Sequence, residues 1–316
     1  MYLRPVHTDL DPQICHNFVK AHPLGLLITH LPSADASGAP LQASHIPFVI
    51  DAPPNGFAAE GGETAGSLGV LRGHIARANP QVKAILSATA TAPASTTGGL
   101  ISSIFGSSTS NSPPPPLDTL SDDVLVIFTS PTHSYVTPTF YTTTKPSTHK
   151  VVPTWDYAAV QVYGTLRVYN KGEETGAFLQ RQVEDLTRME EDKMQAVCPA
   201  GSLKRWDVDE SPKSYVEALK KGIVGVEIVI KRIEGKFKMS QENELGDWEG
   251  VVDGFKGLGT EDGKRMAEAV EARGKDRVRR GKGDEVIGGE EVVKRGDGAD
   301  HELSSASAEQ AKADGV

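Results

Sequence analysis

Apolar and polar residues alternate most cleanly over AAVQVYGTLRVY, residues 158–169. Val160, Val162, Gly164, Leu166 and Val168 fall on one side, and Gln161, Tyr163, Thr165 and Arg167 on the other. That is the period of a half-buried strand. GLLITHL (25–31) and LQASHIPFVI (41–50) are strand-like runs around the turn-rich PSADASGAP, and together they predict a hairpin with a nine-residue connection. GVLRGHIA (69–76) predicts a further strand. VLVIFTSPTHSYVTPTFY (124–141) is β-branched and aromatic throughout, and IVGVEIVIKRIEGKFKMS (223–240) reads as one long strand or a strand pair.

Helical spacing appears between these runs. DLDPQICHNFVKAHP (9–23) opens with Asp11 as N-cap and Pro12 in the first helical position, with Ile14, Phe18 and Ala21 on one face. Residues 173–194 place Phe178, Leu179, Val183, Leu186 and Met189 together. SPKSYVEALKKG (211–222) is a short helix, and ENELGDWEGVVDGFKGLG (242–259) a helix interrupted by glycines. Short alternating strands with a few helices between them predict a mainly β, α+β fold, an antiparallel barrel with peripheral helices. No glycine-rich phosphate loop follows a strand, so a Rossmann or P-loop reading has no support.

Composition changes the picture at two places. Residues 87–122 are dominated by Ser, Thr, Pro and Gly and predict a disordered insertion, with LISSIF as a short apolar patch inside it. Beyond about residue 260 the chain is charged and Gly-rich. The expected organisation is therefore a barrel domain over 1–260, interrupted by the insertion, and a helical or disordered tail over 261–316, with a helix expected through 261–280.

The net charge of −9 works against non-specific DNA affinity. The one strongly basic run, RGKDRVRRGK (273–282), reads as a solvated helix end, or alternatively as a nuclear signal. No helix-turn-helix pattern accompanies it, so direct DNA contact has no support. The two cysteines, Cys15 and Cys198, stand far apart and outside any CxxC, which is neither a redox nor a metal-ligand pattern. HExxH and short-range His pairs are absent, so no metal is expected. With no apolar leader and no apolar run long enough to span a bilayer, the expectation is a cytoplasmic protein, and no membrane partner is expected.

LRGHIARANPQ (71–81) carries the densest candidate chemistry. Period two puts Arg72 and His74 on one strand face. Asn79 then stands where an N-cap belongs and Pro80 at the first helical position, so Arg77 and the helix amides can seat an anion. Spacing alone leaves the solvated corner open as well.

The same stretch resembles the Gly-His-x-Ala-Arg-x-Asn-Pro-Gln signature of the PaiB family, the FMN-binding negative transcriptional regulators. The match recurs in order through MYLRP (1–5), LQASHIPFVID (41–51), SPTHSYVTPTFY (130–141), VVPTWDYAAVQVYG (151–164) and GIVGVEIVIKRIEGKFKMSQ (222–241). The resemblance implies an FMN-binding split β-barrel, a homodimer, and flavin in the crevice between subunits. By motif position it implies Ser44, His45, Arg72, His74, Arg77 and Asn79 as cofactor-binding residues. Thr154, Trp155, Tyr157, Lys238, Ser240 and Gln241 form a second tier. Haem is the less favoured cofactor, through His45, His74 or His133. Regulator is the family label, and an FMN-dependent oxidoreductase using NAD(P)H or a cofactor-free interaction protein are the alternatives.

The chain departs from the family pattern at several points. Val82 and Phe140 stand where the family has Trp, and Ser130 stands for Gly with an extra Thr132 after Pro131. Asp156 stands for Asn, Gln161 for His, and SQEN for Ser-Gln-Asn-Arg. The aromatic pair Trp155 and Tyr157, two apart on a strand, shares one face, with Asp156 on the other.

Overall fold

A computed structural model of the chain describes residues 1–31, 38–57, 68–90, 118–199 and 201–280. In chain order it contains β1 (Thr8–Asp9), α1 (Pro12–Ala21), β2 (Leu24–His30), β3 (Leu41–Pro47), β4 (Val49–Asp51), β5 (Val70–Ala76), α2 (Pro80–Ala90), β6 (Thr119–Thr129), β7 (Ser134–Val136) and α3 (Thr144–Thr148). There follow β8 (Thr154–Tyr169), α4 (Glu173–Val197), α5 (Lys213–Lys220), β9 (Ile223–Lys238), α6 (Leu245–Gly257) and α7 (Glu261–Arg280).

Every strand pairing is antiparallel, and the sheet runs β3-β2-β6-β8-β9-β5-β4, with β1 against β9 and β7 against β8. Strands β3 and β4 are successive pieces of one extended segment. The first piece pairs with β2, Pro47 opposite Leu24, and the second with β5, Val49 opposite Arg72. That segment joins the two ends of the strand order and closes the sheet into a six-stranded split β-barrel. Pro47, at the change of partner, has no N–H to give a ladder.

The alternation read from the sequence fills the barrel. Val160, Val162, Leu166 and Val168 of β8 are buried with Leu27, Val126, Phe128, Val226 and Ile228 from neighbouring strands. Asp11 caps α1 through the Gln13 amide at 2.8 Å, and Phe18 and Val19 pack into the core beside Phe237. Residues 223–240 form one strand rather than two, with a bulge at Lys231 where the register against β8 shifts between Tyr163 and Gly164. A Cβ on Gly164 would stand 2.1 Å from the Val229 carbonyl oxygen, so the bulge requires glycine there. The glycines of α6 have a related cause: a Cβ at Gly250 would meet the Phe140 carbonyl, and one at Gly254 the Phe140 ring.

Two boundaries differ from the sequence reading. Residues 87–90 belong to α2 and 119–122 to β6, because their backbone groups are taken up by a helix and a ladder. The rest of the insertion, with LISSIF, lies outside the described residues. The break placed at 260 also moves. Met266, Ala267 and Val270 of α7 are buried against the body, and Arg273 pairs with the buried Asp9 at 3.0 Å while stacking on Phe237. The charged exterior of α7 hid an apolar stripe that completes the core. Residues 281–316 lie outside the described residues.

Candidate functional site

The expected strand-to-helix turn forms at residues 71–81, but its arginines are already occupied. Arg72 is 2% exposed. Its Nε donates to Asp51 Oδ2 at 2.6 Å, and its Nη2 to Asp51 Oδ1 at 3.0 Å and Asp185 Oδ2 at 2.8 Å. Its Nη1 donates to Gln182 Oε1 at 3.3 Å. The sheet face that period two assigned to Arg72 is therefore roofed by α4 instead of open to a ligand.

Arg77 donates to the carbonyls of Lys221 and Ile223 and to the Asn170 side chain, clamping the entrance of β9 to the exit of β8. Both guanidinium groups are thus engaged within the protomer. The sequence could not give this, since Asp185 lies more than a hundred residues away and Lys221 nearly 150. Asn79 is the cap of α2, its Oδ1 accepting from the Gln81 amide at 2.8 Å, and its Nδ2 donates to Ser44 Oγ on β3 at 3.0 Å. Gln81, which the sequence reading passed over, is buried and donates to Leu27 O, Thr29 Oγ1 and Gln42 O, pinning the helix start to the β2–β3 hairpin. His74 keeps a buried Nδ1 without a hydrogen-bond partner. Burial alone lowers its pKa, so the ring is held neutral.

The second-tier residues divide between two surroundings. Thr154, Lys238 and Ser240 gather around Asp156, which is fully buried. Ser240 Oγ donates to Asp156 Oδ2 at 2.7 Å; Lys238 Nζ lies 3.4 Å from Asp156 Oδ1, 2.6 Å from Thr154 Oγ1 and 3.3 Å from Glu242 Oε1. His7 Nε2, from the N-terminal 3-10 turn, lies 3.0 Å from Glu242 Oε2. Two carboxylates therefore share one lysine. Burial pushes Asp156 up to about 6, with Glu242 adding to the rise against the hydrogen bonds from Ser240 and Lys238. Burial also acts to raise Glu242, but His7, a backbone amide and Lys238 outweigh it and hold that carboxyl down to about 2. Gln241 is a brace, its Oε1 accepting from the Met239 amide and its Nε2 donating to the Phe237 carbonyl. Asp156 and Glu242 registered in the sequence only as departures from a motif, and His7 carried no signal.

Trp155 and Tyr157 lie on the opposite side of β8 from Asp156, as period two requires. Trp155 is half-exposed and its Nε1 donates to His133 Nδ1 at 3.3 Å, with Tyr135 edge-on. Along the same outer face, Ala159 pairs with Thr129 of β6, and Ile127 with Leu26 of β2, which in turn pairs with His45. That face is open. Leu24 and Leu41 are 58% and 62% exposed, His45 is exposed, and Leu26, Ile28, Leu125 and Ile127 are half-buried. His22, Pro23, Leu24, Leu26, His45, Ile127, Thr129 and Pro131 line a mostly apolar groove of about 430 Å³ in it. An exposed apolar sheet face of this kind is a candidate binding surface.

Other candidate chemistry is weak. The Cys15 thiol is buried, and desolvation with nearby Asp9 pushes it up to about 12, so it is no nucleophile. Among the described residues no cluster of His, Cys, Asp and Glu could hold a metal ion, and no helix is long and apolar enough to cross a membrane.

Residues 1–232 match the family model described as "Putative FMN-binding domain". The chain belongs to this FMN-binding domain family. A relative in Aspergillus fumigatus, itself uncharacterised, is 45% identical over 87% of this chain and 98% of its own length. Protease synthase and sporulation protein PAI 2 of Bacillus subtilis is 32% identical over 50% of this chain and 66% of its own. Among solved structures, an FAD and haem binding protein from Mycobacterium smegmatis is similar over 73% of both chains at 11% identity. Its TM-score of 0.35 is too loose to argue from. The matched residues hold β1 to β8, the first part of β9, the 71–81 turn and the groove. Lys238, Ser240, Gln241 and helices α6 and α7 lie beyond them.

Proposed function

We propose that the protein binds FMN on the open face of β2, β3 and β6, and that a second copy of the chain closes over it. The observation that carries this is the apolar groove, within a domain of the FMN-binding family. It suits a planar ring system, and it is flanked by polar and aromatic groups that can orient one: His45 on β3, and Tyr157 and Trp155 on β8. Arg72 and Arg77 are spent within the protomer, so the phosphate end falls to His45, to the Ser44–Asn79 corner, or to groups of the partner copy. A bound flavin supplies hydride or electron transfer; the protein supplies binding, orientation and exclusion of water.

PaiB-type regulation is the biological role that the resemblance to those proteins supports. An oxidoreductase drawing on NAD(P)H is the alternative, and bleaching of the bound flavin by NADPH without air would favour it. Direct DNA contact is no part of the proposal.

The test is the visible absorption spectrum of the purified protein, followed by heat release and identification of the chromophore. Flavin bands with FMN in the supernatant, and a dimer by light scattering, are expected. Ile127→Glu puts a charge in the groove and should give a colourless monomer with an unchanged fold. A colourless wild type that takes up no added FMN, or a Soret band in place of flavin bands, overturns the assignment.

A further inference from the structure

A second cavity, of about 370 Å³, lies where the β6–β7 loop faces the corner between α6 and α7. It is lined by Pro131, Thr132, His133 and Ser134 on one side, and Phe255, Leu258, Thr260, Asp262, Gly263, Arg265 and Met266 on the other. Its loop wall carries a departure from the family motif, and its helical wall lies beyond the matched residues 1–232. The loop carries the extra residue Thr132, whose amide donates to Ser130 Oγ at 3.1 Å, so the Ser that replaces Gly holds the added residue in place. We propose that this cavity is a binding site for a small organic carboxylate with an apolar or aromatic body.

The chemistry of the walls selects that class. Trp155 Nε1 donates to His133 Nδ1, which leaves Nε2–H as the donor of that ring. Arg265 is 60% exposed, and its ion-pair partner Asp262 stands 3.9 Å away and is itself almost fully exposed. The guanidinium is therefore barely engaged, in contrast to Arg72 and Arg77, and offers the planar fork that a carboxylate fits. Phe255 and Met266 are buried and supply an apolar floor, with Leu258 exposed at the rim. Asp262 at the rim and the net charge of −9 both disfavour a dianion, which argues for a single carboxylate over a phosphate ester. The volume suits one small molecule and no dinucleotide. Pro131 also lines the groove on the β2–β6 face, so a ligand in the cavity is adjacent to that groove. The proposal does not depend on flavin occupying it.

The probe is sodium benzoate, with benzylamine as its cationic counterpart, titrated into the full chain by calorimetry and followed by the indole N–H resonances. Saturable binding of one benzoate per chain is expected, with a shift of the Trp155 resonance and none with benzylamine. Arg265→Gln, an exposed position that leaves the fold alone, should weaken benzoate by roughly tenfold or more. Leu258→Trp should block the rim without touching a polar group. The proposal is overturned by absence of saturable binding, by equal binding of benzylamine, by benzoate binding indifferent to both variants, or by binding that leaves the Trp155 resonance unmoved.

Discussion

Asp156 stands where the PaiB motif that this stretch resembles has asparagine, and the price of its charge is visible in its surroundings. Its folded pKa, about 6, lies above its ordinary value of 3.8, so the native state holds a proton that the unfolded chain releases. This group's contribution to stability is therefore complete below about pH 4 and is lost as pH rises through about 6. A displacement of about two units corresponds to roughly 3 kcal/mol at most. Asp156→Asn should gain on the wild type by about 1–3 kcal/mol between pH 4 and pH 8 in urea unfolding. Parallel pH curves for the two proteins would refute the assignment. Glu242 acts in the opposite sense, stabilising above its ordinary pKa and losing that contribution as pH falls toward about 2. Arg72 makes a second prediction at this scale. Removing it takes the buried guanidinium from between Asp51 and Asp185, which keep Arg181 and, at Asp185, Arg188, so Arg72→Ala should cost about 1–3 kcal/mol in chemical denaturation. A variant with wild-type stability that had lost only ligand binding would restore the phosphate-seat reading.

Helices α6 and α7 make the argument at the scale of elements. Gly250 and Gly254 let α6 approach the Phe140 segment, and α7 then covers α6 with Met266, Ala267 and Val270. A chain ended at residue 260 would remove the buried Met266, Ala267 and Val270, uncover the side chains they pack on, and lose the Asp9–Arg273 pair. Each large side chain uncovered forfeits about 1.5–3 kcal/mol. Such a truncation should therefore melt well below the full chain or fail to accumulate in soluble form, as circular dichroism and yield would report. An unchanged melt would mean that α7 is a passenger. At α2, loss of the cap in Asn79→Ala should cost about 1 kcal/mol, read from the shift in denaturation midpoint.

Among the described residues of the whole molecule, one face of the barrel is open and the other is roofed. Helix α4 covers the β5–β9 side, stacking Phe178 on Tyr169 and engaging Arg72, while the β3–β2–β6 side keeps Leu24 and Leu41 exposed. If a second copy covers that side, the melting temperature should rise with protein concentration, because association stabilises only the folded chain. The Ile127→Glu protein should lose that dependence. A wild type whose melting point is independent of concentration, and which runs as a monomer, would remove the dimer from the proposal.

The strands, the hairpin, the caps of α1 and α2 and the barrel class were legible in the sequence, because they rest on periodicity and on contacts between near neighbours in the chain. So was the division of Trp155 and Tyr157 from Asp156 across β8, which follows from a period of two. The fate of the charged residues was not legible. Arg72 meets Asp185, Lys238 meets Asp156, and Arg273 meets Asp9 across separations of roughly 80 to 260 residues. Local sequence reports that a side chain carries charge, but only the closed barrel and the helices around it decide whether that charge faces a partner, a ligand or water.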